Sequence, residues 1–109
     1  MPESNLMVVK ECGPGWDKLI DPIIKLCEDD GAEILQIKEK FGGLRFYVHN
    51  PSPIIELEIK EAERLSYKTC EVCGEPGLLY GGSWLKTLCK EHAGKATLTT
   101  KLKKEENNG

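Results

Sequence analysis

Four residues constrain this chain more than any others: Cys70, Cys73, Cys89 and His92, spaced C-x2-C-x15-C-x2-H. Two residues between ligands let one turn aim both side chains at a single ion. Three Cys and one His complete a closed tetrahedral Zn²⁺ site. Gly74, directly after Cys73, suits a knuckle in which a left-handed residue lets backbone N–H groups point at thiolates. Protein fills all four positions, so one structural Zn²⁺ is expected. A catalytic zinc keeps a position open. Glu91 lies between two ligands but has no upstream H-x-E companion, so deaminase chemistry is not supported and an exposed helix residue is expected. Three thiolates on Zn²⁺ leave the site net negative, and Lys68, Lys86 and Lys90 are near enough in sequence to offset it.

The spacer between the ligand pairs has its own pattern. Leu78-Leu79-Tyr80 and Ser83-Trp84-Leu85 flank Gly81-Gly82, a two-residue hairpin signal. Thr87 is placed to N-cap a short helix whose first turn carries Cys89 and His92. Knuckle, hairpin and helix in that order resemble a treble-clef zinc finger.

Upstream, residues 1 to 12 read as an irregular lead-in with a short strand at Leu6-Met7-Val8-Val9. Cys12-Gly13-Pro14-Gly15 is a turn or helix entry. Trp16, Leu19, Ile20, Ile23, Ile24 and Cys27 then recur at helical spacing, which predicts an amphipathic helix from Trp16 to Asp29. Pro22 falls inside that run. It predicts either a kink or a later start with Asp21 as N-cap and Pro22 at the first position. Further on, Ser52 is placed to cap a second helix with Pro53 at its first position, running to about Tyr67. Its apolar stripe is Ile55, Ile59, Ala62 and Ser66, flanked by Ile54, Leu57 and Leu65.

Between the helices, residues 34 to 48 alternate around Gly42-Gly43, which predicts a β-hairpin with a primed turn. Closing it there pairs Phe41 with Leu44, Glu39 with Phe46 and Ile37 with Val48 on one face. The other face pairs Lys40 with Arg45, Lys38 with Tyr47 and Gln36 with His49. The first face is apolar except for Glu39. The second is basic and aromatic, and its opposed like charges are mildly unfavourable. Lys38, Lys40, Arg45 and Tyr47 are therefore the candidate partner-binding residues, with a soluble edge as the plainer account. His49 is expected to be an exposed strand residue.

At 109 residues the chain suits one small domain. Its net charge of −3 argues against a generally basic nucleic-acid coat but allows a local basic patch. No apolar run is long enough to span a bilayer, and Met1-Pro2-Glu3-Ser4 lacks the basic and apolar regions of a signal peptide. Of five cysteines, three are ligands, leaving Cys12 and Cys27 as unpaired, inert thiols, Cys27 on the helix core stripe. Reduced thiols with zinc point to a cytoplasmic setting. No phosphate-binding glycine loop and no Ser/His/Asp or Cys/His catalytic set stands out.

Gly13-x-Gly15-Trp16, then Ile37-Lys38-Glu39-Lys40-Phe41-Gly42-Gly43-Leu44-Arg45-Phe46-Tyr47, then Thr69-Cys70-Glu71-Val72-Cys73-Gly74 with Thr87-Leu88-Cys89-x-x-His92, resemble a family of small bacterial and phage or prophage proteins. The match covers most of residues 12 to 93. The resemblance implies a phage-associated accessory protein and supports zinc; it implies no activity and no catalytic residue. The expected fold is α+β: a helix–hairpin–helix region over 1–68, the zinc module over 69–94 in the same compact domain, and a polar tail over 95–109. The expected function is non-enzymatic binding of a bacterial host protein, with inhibition of a defence or regulatory complex. The alternative is binding of a nucleic acid or nucleotide on the basic hairpin face.

Overall fold

The computed structural model describes residues 8–81 and 84–93. In chain order the elements are β1 (Lys10–Glu11), a 3-10 turn (Pro14–Trp16), α1 (Asp17–Asp30), β2 (Glu33–Lys40), β3 (Gly43–His49), α2 (Pro53–Ser66), β4 (Leu78–Tyr80), β5 (Lys86–Leu88) and α3 (Lys90–Ala93). The chain is mixed α+β, as expected. β1 runs parallel to β2, β2 antiparallel to β3, and β4 with β5 forms a separate hairpin. Of the strand expected at residues 6–9, Leu6 and Met7 lie outside the described residues, as does the expected tail. Val8 and Val9 are not in a strand, and the pairing begins at Lys10.

α1 buries Ile20, Ile23 and Cys27, and Trp16 just before it is fully buried. The helix continues through Pro22, so it does not start there. An interior proline costs about 3 kcal/mol. Burying each large apolar side chain contributes roughly 1.5–3 kcal/mol, so the stripe outweighs the proline. Pro22 is on the exposed side, and so is Lys18, whose carbonyl loses the N–H that Pro22 lacks; water can take its place. α2 forms as the sequence predicts. The Ser52 hydroxyl accepts the Ile55 N–H at 3.3 Å, Pro53 occupies the first turn, and Ile55, Ile59, Ala62 and Ser66 are buried. The two helices pack with Ile34, Ile37, Leu44 and Phe46 of the sheet in one core.

The large hairpin turns one residue earlier than expected. Phe41 (φ 56°) and Gly42 (φ 84°) form the primed turn, and Lys40 pairs with Gly43. Every cross-strand partner therefore moves by two positions: Glu39 faces Leu44, Lys38 faces Arg45, Ile37 faces Phe46 and Gln36 faces Tyr47. A two-residue shift keeps each side chain on its face, so the apolar side survives. Two details change. Phe41 is a 64% exposed turn residue, not a core one. Lys40 no longer opposes Arg45; Lys38 does. A bulge between Ile34 and Gln36 turns Leu35 outward and Ile34 inward. The earlier turn has a physical reason in Glu39, whose carboxylate accepts the Gly42 N–H at 2.8 Å. Gly43 then enters the strand, where a Cβ would overlap the Tyr67 ring.

Side chains of α2 cover the outer edge of β3. The Leu44 N–H donates to Ser66 Oγ at 2.9 Å, and the Phe46 N–H donates to Glu63 Oε2 at 3.1 Å. Ser66 is fully buried and donates in turn to the Glu63 carbonyl at 2.6 Å. Among the described residues no helix is long and apolar enough to cross a membrane. Ser66→Ala leaves the buried Leu44 N–H without its acceptor and is expected to lower stability by about 1–3 kcal/mol in urea unfolding. A loss within experimental error would show that this edge contact is not needed.

Candidate metal centre

The turn after α2 leads into the knuckle. The Cys70 N–H donates to the Glu75 carbonyl at 2.7 Å, and the Gly74 N–H donates back to the Cys70 carbonyl at 2.9 Å. Gly74 has φ 86°, the left-handed backbone that its position after Cys73 predicts. Cys89 follows β5 directly, and its carbonyl accepts the Ala93 N–H at 2.8 Å, which sets the one-turn helix α3 carrying His92.

The four expected ligands come together. One donor atom from each of Cys70, Cys73, Cys89 and His92 lies within 4.8 Å of all the others. Cys73 Sγ is 3.7 Å from Cys89 Sγ, and His92 Nδ1 is 3.6 Å from Cys70 Sγ and 3.2 Å from Cys89 Sγ. A tetrahedron with metal–sulfur bonds of about 2.3 Å separates its sulfurs by roughly 3.8 Å. The donor set thus fits one ion, with Nδ1 as the imidazole ligand. Burial opposes ionisation of Cys70, but hydrogen bonds from the backbone of Cys73, Cys89 and Val72 outweigh it and hold the thiol down at about 6. At Cys73 the Glu75 backbone favours the thiolate, yet the sulfurs of Cys70 and Cys89 push it up. A cation among the sulfurs removes that opposition, because metal binding and thiol deprotonation are coupled.

The small hairpin differs from expectation. β4 pairs with Lys86–Leu88 rather than with residues 83–85: Leu78 faces Leu88, Leu79 faces Thr87 and Tyr80 faces Lys86. Thr87 is a fully buried strand residue and not an N-cap. Its hydroxyl donates to the Gly42 carbonyl at 2.6 Å, which ties the small hairpin to the turn of the large one. Leu79 packs on the same turn, where a Cβ on Gly42 would overlap its Cδ1. Ser83 lies outside the described residues.

The glycine motif near the N-terminus is a seat for the knuckle. The Gly15 N–H donates to the Glu71 carbonyl at 2.7 Å, and the Gly13 N–H donates to Glu71 Oε2 at 2.8 Å. Trp16 Nε1 donates to the Thr69 carbonyl at 2.8 Å, and Lys18 Nζ donates to the Gly74 carbonyl at 2.6 Å. A Cβ on Gly15 would overlap the Cys70 carbonyl oxygen and come within 2.6 Å of Gly74 N. The sequence reads Cys12-Gly13-Pro14-Gly15 as a turn or helix entry, and it does enter α1, but its role as a seat for the knuckle was not foreseen. Two glycines one residue apart beside a tryptophan carried the signal of a close backbone approach, but not what approached.

Glu39 and Glu71 resolve in the same region. Lys86 Nζ lies 3.4 Å from Glu39 Oε1 and 3.3 Å from Glu71 Oε1. Burial works to lower the Lys86 pKa, but the two carboxylates outweigh it and raise it. Lys86 therefore bridges carboxylates, one of them in the knuckle, and Lys18, which the sequence did not single out, is a second cation on the knuckle. Glu91 is exposed, as expected.

The remaining cysteines are free thiols. Cys27 is fully buried on the α1 stripe, and burial pushes its thiol up. Cys12 is half-buried and pushed up to about 11, first by burial and then by the charge of Glu71. Neither has the lowered pKa of a reactive cysteine.

Of the expected partner-binding residues, Lys38, Arg45 and Tyr47 share the sheet face away from the helices, with Lys38 directly opposite Arg45. Arg45 is partly committed to the fold, donating to the Leu44 carbonyl at 3.0 Å and to the Tyr67 hydroxyl at 3.3 Å. Glu11 is beside Lys38 in the β1 register and accepts from Gln36 Nε2 at 2.9 Å. Lys40 stands apart at the tip, its Nζ 5.4 Å from the Phe41 ring centroid. His49 is exposed at the end of β3.

Compared with family models, curated proteins and solved structures, the chain matches none.

Metal analysis of protein purified without chelator is expected to find about one divalent ion per chain. Cys89→Ser is expected to lose the ion and most of the folding stability, because binding energy here is folding energy. A metal-free chain of equal stability would refute the site. Gly15→Ala is expected to lower stability by several kcal/mol, on the order of the largest single-residue losses, and to weaken metal retention against a chelator. Unchanged retention would separate the seat from the site.

Proposed function

We propose that this chain is a zinc-stapled binding protein that catalyses no reaction itself. The observation that carries the reading is the closed donor set: three sulfurs and one imidazole nitrogen converge from the protein, leaving no position for water or substrate. Thiolates with imidazole in a tetrahedral set favour Zn²⁺ over oxygen-seeking ions. Knuckle, hairpin and short helix follow one another as in a treble clef.

The partner in this reading is a protein of the bacterial host, met in its reducing cytoplasm, and the chain is a phage-type accessory protein that inhibits a defence or regulatory complex. The resemblance to small phage and prophage proteins supports that setting, and the free thiols of Cys12 and Cys27 agree with it. The contact surface is the outer sheet face, with Tyr47, next to Arg45 along β3, as an aromatic anchor beside the Lys38–Arg45 pair. Lys40, apart at the tip, extends the positive charge along the hairpin.

A second reading rests on one observation. Two cations oppose each other across β2 and β3 beside an exposed tyrosine, which also suits phosphates and a stacked base of a nucleic acid or nucleotide.

Immobilised full-length protein, loaded with zinc and exposed to nuclease-treated bacterial lysate, is expected to retain a protein partner with shallow salt dependence. Lys38→Glu combined with Arg45→Glu is expected to abolish that capture while zinc content is unchanged. Capture that disappears with nuclease and falls steeply with salt would overturn the first reading in favour of the second. Full capture by the double variant would remove the partner from this face.

A further inference from the structure

The small hairpin packs one face into the fold, while the other is more open and contributes the Lys86 ammonium to Glu39 and Glu71. Leu79 and Thr87 point at the Gly42 turn and are packed there. By strand alternation Leu78, Tyr80, Lys86 and Leu88 point the other way. That outer side of a two-stranded sheet is expected to be polar, yet three of its four residues are apolar. Leu78 is 50% exposed, and Trp84, at the loop end of the hairpin near Tyr80 and Gly81, is 74% exposed. Two adjoining grooves run along this side, of about 460 and 150 Å³, and share Tyr80 and Leu88 as a common wall. Lys90 lines the larger groove and has no carboxylate partner among the described residues. Lys86 lines the smaller one with its ammonium already shared between Glu39 and Glu71.

We infer that this face is a docking groove for a short peptide segment of a partner protein, one that presents apolar side chains next to a carboxylate. The inference rests on the reading of a protein partner and gives that partner a second point of contact. Apolar side chains enter the groove against Leu78, Tyr80 and Leu88, Trp84 closes over them as an aromatic anchor, and the carboxylate meets Lys90. The charge pattern selects this occupant. Lys90 is the one unpaired cation among the described lining residues, and the lining has no carboxylate to meet it, so a second copy docked face to face would leave it without a partner. A nucleic acid needs several phosphate contacts, which one cation does not supply.

The test uses the full-length, zinc-loaded protein and a random-peptide display library as probe. Enriched peptides are expected to combine aliphatic or aromatic residues with Asp or Glu. Their binding is expected to weaken about tenfold or more with Trp84→Ala and again with Lys90→Glu. Trp84 is exposed and is not a ligand, so Trp84→Ala should leave melting temperature and zinc content unchanged, and Lys90→Glu, beside Cys89, is compared at matched zinc content. Lys38→Glu with Arg45→Glu is expected to leave peptide binding intact, which distinguishes failure of this groove from failure of the sheet-face reading. The inference is overturned by no enrichment, by enriched peptides without acidic residues, or by binding that survives both groove variants. It is also overturned if Trp84→Ala instead abolishes binding of a single-stranded oligonucleotide, or dissolves a concentration-dependent dimer seen in sedimentation.

Discussion

Glu71 lies between Cys70 and Cys73, is 6% exposed, and divides its polar groups between the Gly13–Gly15 turn and the small hairpin. Its carbonyl takes the Gly15 N–H and its N–H goes to Thr87 of the small hairpin. One carboxylate oxygen takes the Gly13 N–H, and the other faces Lys86, which reaches on to Glu39 of the sheet. A buried carboxylate beside thiolates is costly unless paired and hydrogen-bonded. Here the partners that make it tolerable are the segments that join the metal centre to the rest of the molecule. The Cys70–Gly74 knuckle and the helix–sheet core thus share one polar junction.

That junction explains which parts of the molecule were legible in the sequence. The four ligands declared themselves by spacing, because two-residue gaps have few other uses. The α2 boundaries were legible in Ser52 and Pro53, whose chemistry is local. The α1 stripe was legible through a proline that tertiary burial overrode. The turns were misjudged by one residue in the large hairpin and by more in the small one, since each depends on something distant in sequence. Phe41-Gly42 turns where it does with the Glu39 carboxylate holding the Gly42 N–H and Tyr67 leaving no room for a Cβ on Gly43. Thr87 looked like a cap because a threonine before a short helix usually is one, while its real partner is the Gly42 carbonyl. The glycines of Gly13-Pro14-Gly15 showed that something came close, and only the fold shows that it is the Cys70 carbonyl.

Side chains also finish what the backbone leaves open in the sheet. β3 ends a three-stranded sheet, and its outward N–H groups at Leu44 and Phe46 would otherwise be a template for another strand. Ser66 and Glu63 of α2 take them instead. The same helix thus buries an apolar stripe and seals an edge.

The seat of Trp16 also has a consequence for how the chain comes into being. Its indole N–H finds its acceptor at Thr69, 53 positions later, and the Gly13 N–H finds Glu71 58 positions later. During synthesis from the N-terminus, the α1 segment leaves the ribosome well before the knuckle that will hold it. Contacts across such separations form late and slow folding, so the first half of the chain waits with its tryptophan unsheltered. The arrival of Cys70 to Gly74 then closes the N-terminal half, and the donor set is completed only afterwards, when Cys89 and His92 follow.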